Sequence, residues 1–225
     1  MTFVPWGPVA VWGSTETFVN AANEGYRASG DDIRFSIGSL NRHLKEPISA
    51  GDIVSVRTGI RALPVVKDKN HQVDPLFLSK RFLIYTNNRQ QAITVYGGKI
   101  TTALLVAESI QQFFQRNFHI QCRAHLHSYC EKHCIEKIEF AGYSAIIPEW
   151  SVENEFTLSI EDYLRRRTNL AQWIDRGGLG KHGEFSDDLL TLCLRLHQGN
   201  EAIARRDWNN YLDLINTECS IFEGL

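Results

Sequence analysis

The chain has 225 residues, with 24 Lys and Arg against 26 Asp and Glu, so its formal charge is −2. That balance argues against nucleic acid and anionic lipid as partners. The 43% hydrophobic and 22% charged fractions are those of an ordinary globular protein of one or two domains. No apolar run approaches the ~20 residues needed to span a bilayer, and the N-terminal residues carry no leader pattern. Five cysteines (Cys122, Cys130, Cys134, Cys193, Cys219) lack a secreted disulfide spacing, which fits a reducing cytosol.

Phe3-Val4-Pro5-Trp6 and Val9-Ala10-Val11-Trp12 flank Gly7-Pro8 and read as two short strands round a turn. The polar stretch Gly13-Ser14-Thr15-Glu16-Thr17 follows as a loop. Asp31-Asp32 then precede Ile33, Ile37, Leu40 and Leu44, whose spacing gives one face of a helix with carboxylates at its positive end. Asp52 to Leu63 reads as a strand ending near Arg61. That arginine pairs either with a nearby carboxylate or with a substrate carboxylate or phosphate held in bidentate fashion.

Lys67 to Pro75 is a polar loop. Leu76 to Thr86 and Gln91 to Tyr96 read as strands paired round Asn87–Gln90. At Gly97-Gly98-Lys99 the period changes: a helix opens at Thr101 or Thr102 and runs to about Asn117. Strand, glycine turn and helix N-terminus is a recurrent way to hold an anion or an electron-rich ring, because the first helical N–H groups lack internal acceptors. It is also a common plain connection.

Beyond His119 strand signals thin out, with one extended stretch at Ile138 to Ile147. Helices are expected from Thr157 or Ser159 through Trp173, from Ser186 through Leu196, and from Ile203 through Ile215. The class is therefore α+β: residues 1–118 form a partial, mixed or antiparallel sheet with helices, and residues 119–225 a small all-α domain. No G-x-G-x-x-G or P-loop occurs, so a complete nucleotide-binding fold is not expected here. His125, His127, Cys130, His133 and Cys134 crowd one segment, but their spacing is not a standard zinc knuckle and no metal is assigned. Arg165-Arg166-Arg167 point about 100° apart on a helix and suit salt bridges rather than one basic patch.

Four of these stretches, in order, resemble the C-terminal half of the FAD-dependent (aerobic) glycerol-3-phosphate dehydrogenases, flavoenzymes of the D-amino-acid-oxidase type. Phe3–Trp6 with Trp12–Glu16 is similar to that family's Pro-Trp strand and Gly-Thr-Thr-Asp turn. Asp52–Arg61 is similar to its strand ending in Gly-(Val/Ile)-Arg, Val95–Thr102 to its Val-(Phe/Tyr)-Gly-Gly-Lys-Leu-Thr-Thr, and Phe156–Thr168 to the start of its helical C-terminal domain. The resemblance implies that Gly97, Gly98, Lys99, Ile100, Thr101 and Thr102 contact FAD, with Lys99 near the ring that takes up charge. It implies that Arg61, with Lys80 and Arg81, holds sn-glycerol 3-phosphate, and that hydride passes to the flavin and electrons onward to quinone. Arg61 and Lys99 are thus the catalytic candidates. Phe82 stands where the family has histidine, Ala62 where it has proline, and Ala103-Leu104 where it has Tyr-Arg.

The family's N-terminal Rossmann-like FAD-binding unit is expected to be missing from this sequence, leaving half a flavin site and no activity until a separate FAD-binding chain or segment is supplied. A cytoplasmic protein, with a peripheral position on the inner membrane face as the other implication, is expected. The alternatives are a non-catalytic assembly module, or a flavin oxidoreductase fragment acting on another polyol or acid.

Overall fold

The computed structural model describes residues 2–13, 15–16, 27–60, 79–87, 92–118 and 135–225. It is α+β: seven α-helices and three two-stranded antiparallel sheets occur among the described residues. None of these helices is long and apolar enough to cross a membrane. The chain divides into two units, each assembled from separated segments. The first comprises residues 1–15, 27–58 and 132–225; the second comprises residues 16–26 and 59–131.

The first unit opens with a hairpin, β1 (Thr2–Trp6) and β2 (Val9–Gly13), in register from Thr2↔Gly13 to Trp6↔Val9. Its turn is docked from outside. Trp6 donates its indole N–H to Asn169 Oδ1 at 3.2 Å, and a Cβ on Gly7 would lie 2.7 Å from the Trp173 ring. Helix α1 (Gly30–Asn41) is started by a reciprocal cap. Ser29 Oγ accepts from the Asp32 N–H, and Asp32 Oδ2 accepts from the Ser29 N–H at 2.9 Å. Ile33 and Leu40 bury its apolar face. The Asn41 amide then closes the following loop by bonding both the N–H and the carbonyl of Ile48.

The strand expected over residues 52–63 is not present in its described part. A short 3₁₀ turn, Ala50–Asp52, leads into an irregular segment over residues 53–60. Its apolar residues instead serve the helical core, with Ile53 buried and Val56 packed against it. A strand is defined by a hydrogen-bonded neighbour, and none runs beside this segment among the described residues.

The extended stretch near 138–147 is a hairpin. β5 (Lys137–Phe140) and β6 (Tyr143–Ile146) join through Ala141 and Gly142, both at positive φ, as a two-residue hairpin turn requires. Pro148 begins α3 (Pro148–Glu155), a helix the sequence periodicity did not suggest, and Phe156 ends it in the left-handed region. The helix expected from 157 to 173 is broken in two. α4 (Ile160–Asp162) widens into a π turn over Tyr163–Arg167, and α5 (Leu170–Trp173) follows. The Thr168 N–H and hydroxyl both bond the Tyr163 carbonyl, which closes the wide turn.

Helices α6 (Ser186–Leu196) and α7 (Glu201–Cys219) form an antiparallel pair round Gly199 and Asn200, whose side chain caps α7 through the Ile203 N–H. The core lies where α4, α6 and α7 meet: Ile160, Tyr163, Leu164, Leu170, Leu189, Cys193, Tyr211 and Ile215 are all almost fully buried. Tyr211 donates its hydroxyl to the Gly177 carbonyl, and Tyr163 to that of Ile146. Burial pushes both phenols far above their ordinary range, so they remain donors.

The second unit contains β3 (Phe82–Asn87), β4 (Ala92–Gly97), a 3₁₀ turn (Ile100–Thr102) and α2 (Ala103–Phe118). β3 and β4 pair from Phe82↔Gly97 to Asn87↔Ala92. Leu83, Tyr85 and Tyr96 are exposed on one face of the ladder, and α2 buries none of its residues fully.

Two predictions follow from the first unit. Gly177 has φ +64, and a Cβ there would stand 2.2 Å from Ile215 Cδ1. Gly177→Ala should therefore lower stability in urea by roughly 2–4 kcal/mol, combining left-handed strain with overpacking. Gly199→Ala, at φ +79 with open space around it, should lose only about 1–2 kcal/mol. The second prediction concerns Glu149, which takes both arms of Arg195 at 2.8 Å. Those bonds hold its carboxyl below the usual range. A depressed folded-state pKa stabilises above the unfolded value and ceases to do so as pH falls through the depressed one. The urea midpoint should accordingly drop more steeply from about pH 6 to about pH 3 in the parent chain than in Glu149→Gln.

Candidate functional site

The glycine turn lies where the ladder of β3 and β4 ends. Because Phe82 is the register partner of Gly97, Lys80 and Arg81 enter the ladder at the same end from which Gly98 and Lys99 leave it. Two groups of residues that are far apart in sequence, the flavin-contact candidates and two of the substrate candidates, thus share one end of one hairpin. Gly97 and Gly98 have φ +71 and +91, a geometry that side chains oppose. A Cβ on Gly98 would stand 3.3 Å from Phe82 Cβ, so the turn closes directly over that residue.

Lys99 is extended and exposed, and it caps the turn that opens α2. The Thr102 hydroxyl accepts from the Lys99 N–H at 3.2 Å and donates to the Lys99 carbonyl at 2.9 Å. The Thr102 N–H bonds the same carbonyl, also at 2.9 Å. The N–H groups of Ile100 and Thr101 come at positions where helical geometry supplies no internal acceptor. Ile100 is 91% exposed and Leu104 81%. Lys80 Nζ lies 3.8 Å from Glu16 Oε1, a long pair in which the lysine side chain is 44% exposed. The Arg81 N–H donates to Ser79 Oγ at 3.3 Å. Three cations, Lys80, Arg81 and Lys99, therefore belong to this one end of the hairpin.

Chemically, this end offers side-chain-free backbone, helix-start N–H groups and positive charge. Such a set fits the pyrimidine edge of a flavin, where reduction deposits negative charge, or a phosphate. The strand–turn–helix at Gly97-Gly98 lacks the G-x-G-x-x-G spacing that holds the ADP part of a dinucleotide. Arg61 and the His125–Cys134 segment lie outside the described residues. Arg165, Arg166 and Arg167 separate as their helical spacing requires. Arg165 pairs with Glu218, Arg166 with Glu161, and Arg167 grips the Glu155 carbonyl with two N–H groups at 3.1 and 2.8 Å.

Two further features of the first unit escaped sequence reasoning. One is an open cleft of about 220 Å³ between Tyr143, Trp173, Phe185, Asp175 and Lys181. It forms across elements that no local pattern connects. The other is a cluster of Cys193, His197 and Asp207. The i, i+4 spacing of Cys193 and His197 was visible in the sequence, but Asp207 joins them only because α7 folds back along α6. Burial, then the Asp207 charge, pushes the Cys193 thiol up to about 12.

No family model, no curated protein and no solved structure matches this chain.

The capping role of Thr102 is directly testable. Thr102→Val keeps the shape but removes both hydroxyl bonds, so the start of α2 should lose about 1 kcal/mol. Amide exchange at Lys99 should quicken about fivefold, while amides of α6 and α7 keep their parent rates.

Proposed function

We propose that this chain is the C-terminal portion of an FAD-dependent dehydrogenase of the glycerol-3-phosphate type, with an antiparallel substrate-domain sheet and a helical C-terminal domain. The observation that carries the reading is the shared end of the β3–β4 ladder, which gathers Lys80 and Arg81 with Gly97–Thr102. When bound, FAD would supply the hydride acceptor for oxidation of sn-glycerol 3-phosphate to dihydroxyacetone phosphate.

This chain's own residues have the following tasks. Gly97 and Gly98 keep the turn free of side chains, so backbone approaches the cofactor closely. The N–H groups that open α2 and the Lys99 ammonium favour negative charge beside them. Lys80, Arg81 and Arg61 hold the substrate phosphate, arginine doing so in bidentate fashion. The dinucleotide-binding unit comes from sequence outside these 225 residues or from a separate chain. Quinone as the electron acceptor and a peripheral position on the cytoplasmic membrane face belong to the same reading.

A second reading, a non-catalytic assembly module, is favoured by one observation: the second unit exposes Leu83, Tyr85, Tyr96, Ile100 and Leu104. A flavin titration separates the two. The chain alone should bind FAD only weakly, with a Kd above about 100 µM. Joined to a Gly-rich dinucleotide-binding unit from the adjoining reading frame, it should hold one FAD, bleached anaerobically by glycerol 3-phosphate. Arg61→Ala should raise the substrate concentration needed for bleaching by roughly 10–100-fold, about 1.4–2.7 kcal/mol. A joined protein that binds no flavin, or holds flavin that no polyol phosphate bleaches, sinks the catalytic reading in favour of the assembly module.

A further inference from the structure

We propose that Cys193, His197 and Asp207 form a binding site for one divalent ion of the zinc class at the seam between α6 and α7. This inference is independent of the flavin reading and concerns the other unit. One donor atom from each residue lies within 4.8 Å of the other two, and the donors are three different kinds: thiol sulfur, imidazole nitrogen and carboxylate oxygen. Zinc and cobalt accept all three, whereas magnesium and calcium take oxygen.

The fold supplies the arrangement. Cys193 sits one helical turn before His197, which caps the C-terminus of α6, so both project from one face. Asp207, in the second turn of α7, comes back against that face after the reversal at Gly199. Cys193 is fully buried, and the side chains of His197 and Asp207 are only 13% and 15% exposed. The site is therefore walled on the thiol side and reachable from the other. Three protein donors leave a fourth tetrahedral position, which water fills there.

Without metal the imidazole and the carboxylate share a hydrogen bond, and the Cys193 thiol donates to the Ala204 carbonyl at 3.4 Å. His197 Nε2 lies 2.8 Å from Asp207 Oδ2, and the Cys193 thiol 3.7 Å from it. Tetrahedral donors at about 2.0 Å from a metal are about 3.3 Å apart, so the imidazole and carboxylate need separate by only about 0.5 Å. On binding, the thiol proton leaves to water, and His197 turns its Nε2 lone pair to the metal with its ring proton on Nδ1. Asp207 Oδ2 also accepts from the Ile160 N–H at 2.7 Å. A carboxylate has lone pairs enough to keep that bond while ligating.

Cobalt(II) titration of the full chain, first stripped with chelator and reduced, tests the site. One cobalt should bind with a thiolate-to-cobalt charge-transfer band in the near ultraviolet and tetrahedral visible absorption, both erased by one equivalent of zinc. Cys193→Ser should abolish the charge-transfer band. Asp207→Asn, which keeps an oxygen for the Ile160 N–H, should weaken binding by more than the about 10–100-fold that loss of an outer-shell partner causes. A chain with Cys122, Cys130 and Cys134 all changed to Ser should keep the band, and it guards against Cys193→Ser failing to fold. The proposal is overturned if the parent chain gives no charge-transfer band in excess cobalt. It is equally overturned if the triple variant loses the band, since the metal then sits in the other cysteine segment.

Discussion

A single carboxylate oxygen ties the first unit together. Asp207 Oδ2 accepts from the Ile160 N–H and faces the His197 ring and the Cys193 thiol, and so joins α4, α6 and α7. The Ile160 N–H opens a helix and has no internal acceptor, while a largely buried carboxylate needs donors around it. Each need meets the other across 47 residues of sequence. The carboxylate also stands at the positive end of α4, where the helix field favours it. Ser159 completes the cap by accepting from the Asp162 N–H. Ile160, Tyr163, Leu164, Leu189, Cys193 and Ala204 all belong to the buried cluster of this unit.

Around that corner the chain satisfies its irregular backbone with side chains. The link from α3 to α4 is held by Thr157, whose hydroxyl donates to the Ser151 carbonyl, and by Arg167, which doubles onto Glu155. Phe156 is thereby kept in the left-handed region, flanking a buried Thr157 with Leu158 on the other side. The second unit differs. Its described residues form a two-stranded ladder and one helix without a fully buried residue, and the ladder's register brings Lys80 and Arg81 to the end from which Gly98 and Lys99 leave.

What the sequence made legible was what depends on neighbours in the chain. The carboxylates Asp31-Asp32 at the start of α1 and the 3.6 period of α1, α2, α6 and α7 were readable because charges at a helix start and faces are local. The turn at Gly97-Gly98 was readable for the same reason. The segment at 53–60 reads as a strand from its apolar residues, yet burial in a helical core selects the same residue types. The break at Tyr163–Arg167 was hidden because Thr168 acts by bonding a carbonyl five residues back, which no period encodes. α3 is too short to show a face, and Pro148 was its only signal. In the candidate sites, Lys80 and Arg81 came to the glycine turn through pairing, and Asp207 reached Cys193 through helix packing, neither of which local sequence reveals.

The first unit's discontinuity sets a schedule for synthesis. Ile33 and Ile53 belong to the same buried cluster as Tyr211, Ile215 and Phe222. Gly30 itself lies beside Leu225, whose Cδ2 would stand 3.3 Å from a Cβ there. At about 5–20 residues per second, the earlier segment leaves the ribosome roughly 8–33 s before its partners exist. All that time its apolar side chains are without their core, while the second unit's chain is already out. The segment that carries Ile33 and Ile53 is therefore made well before α7, and its share of the buried cluster is complete only when that helix follows.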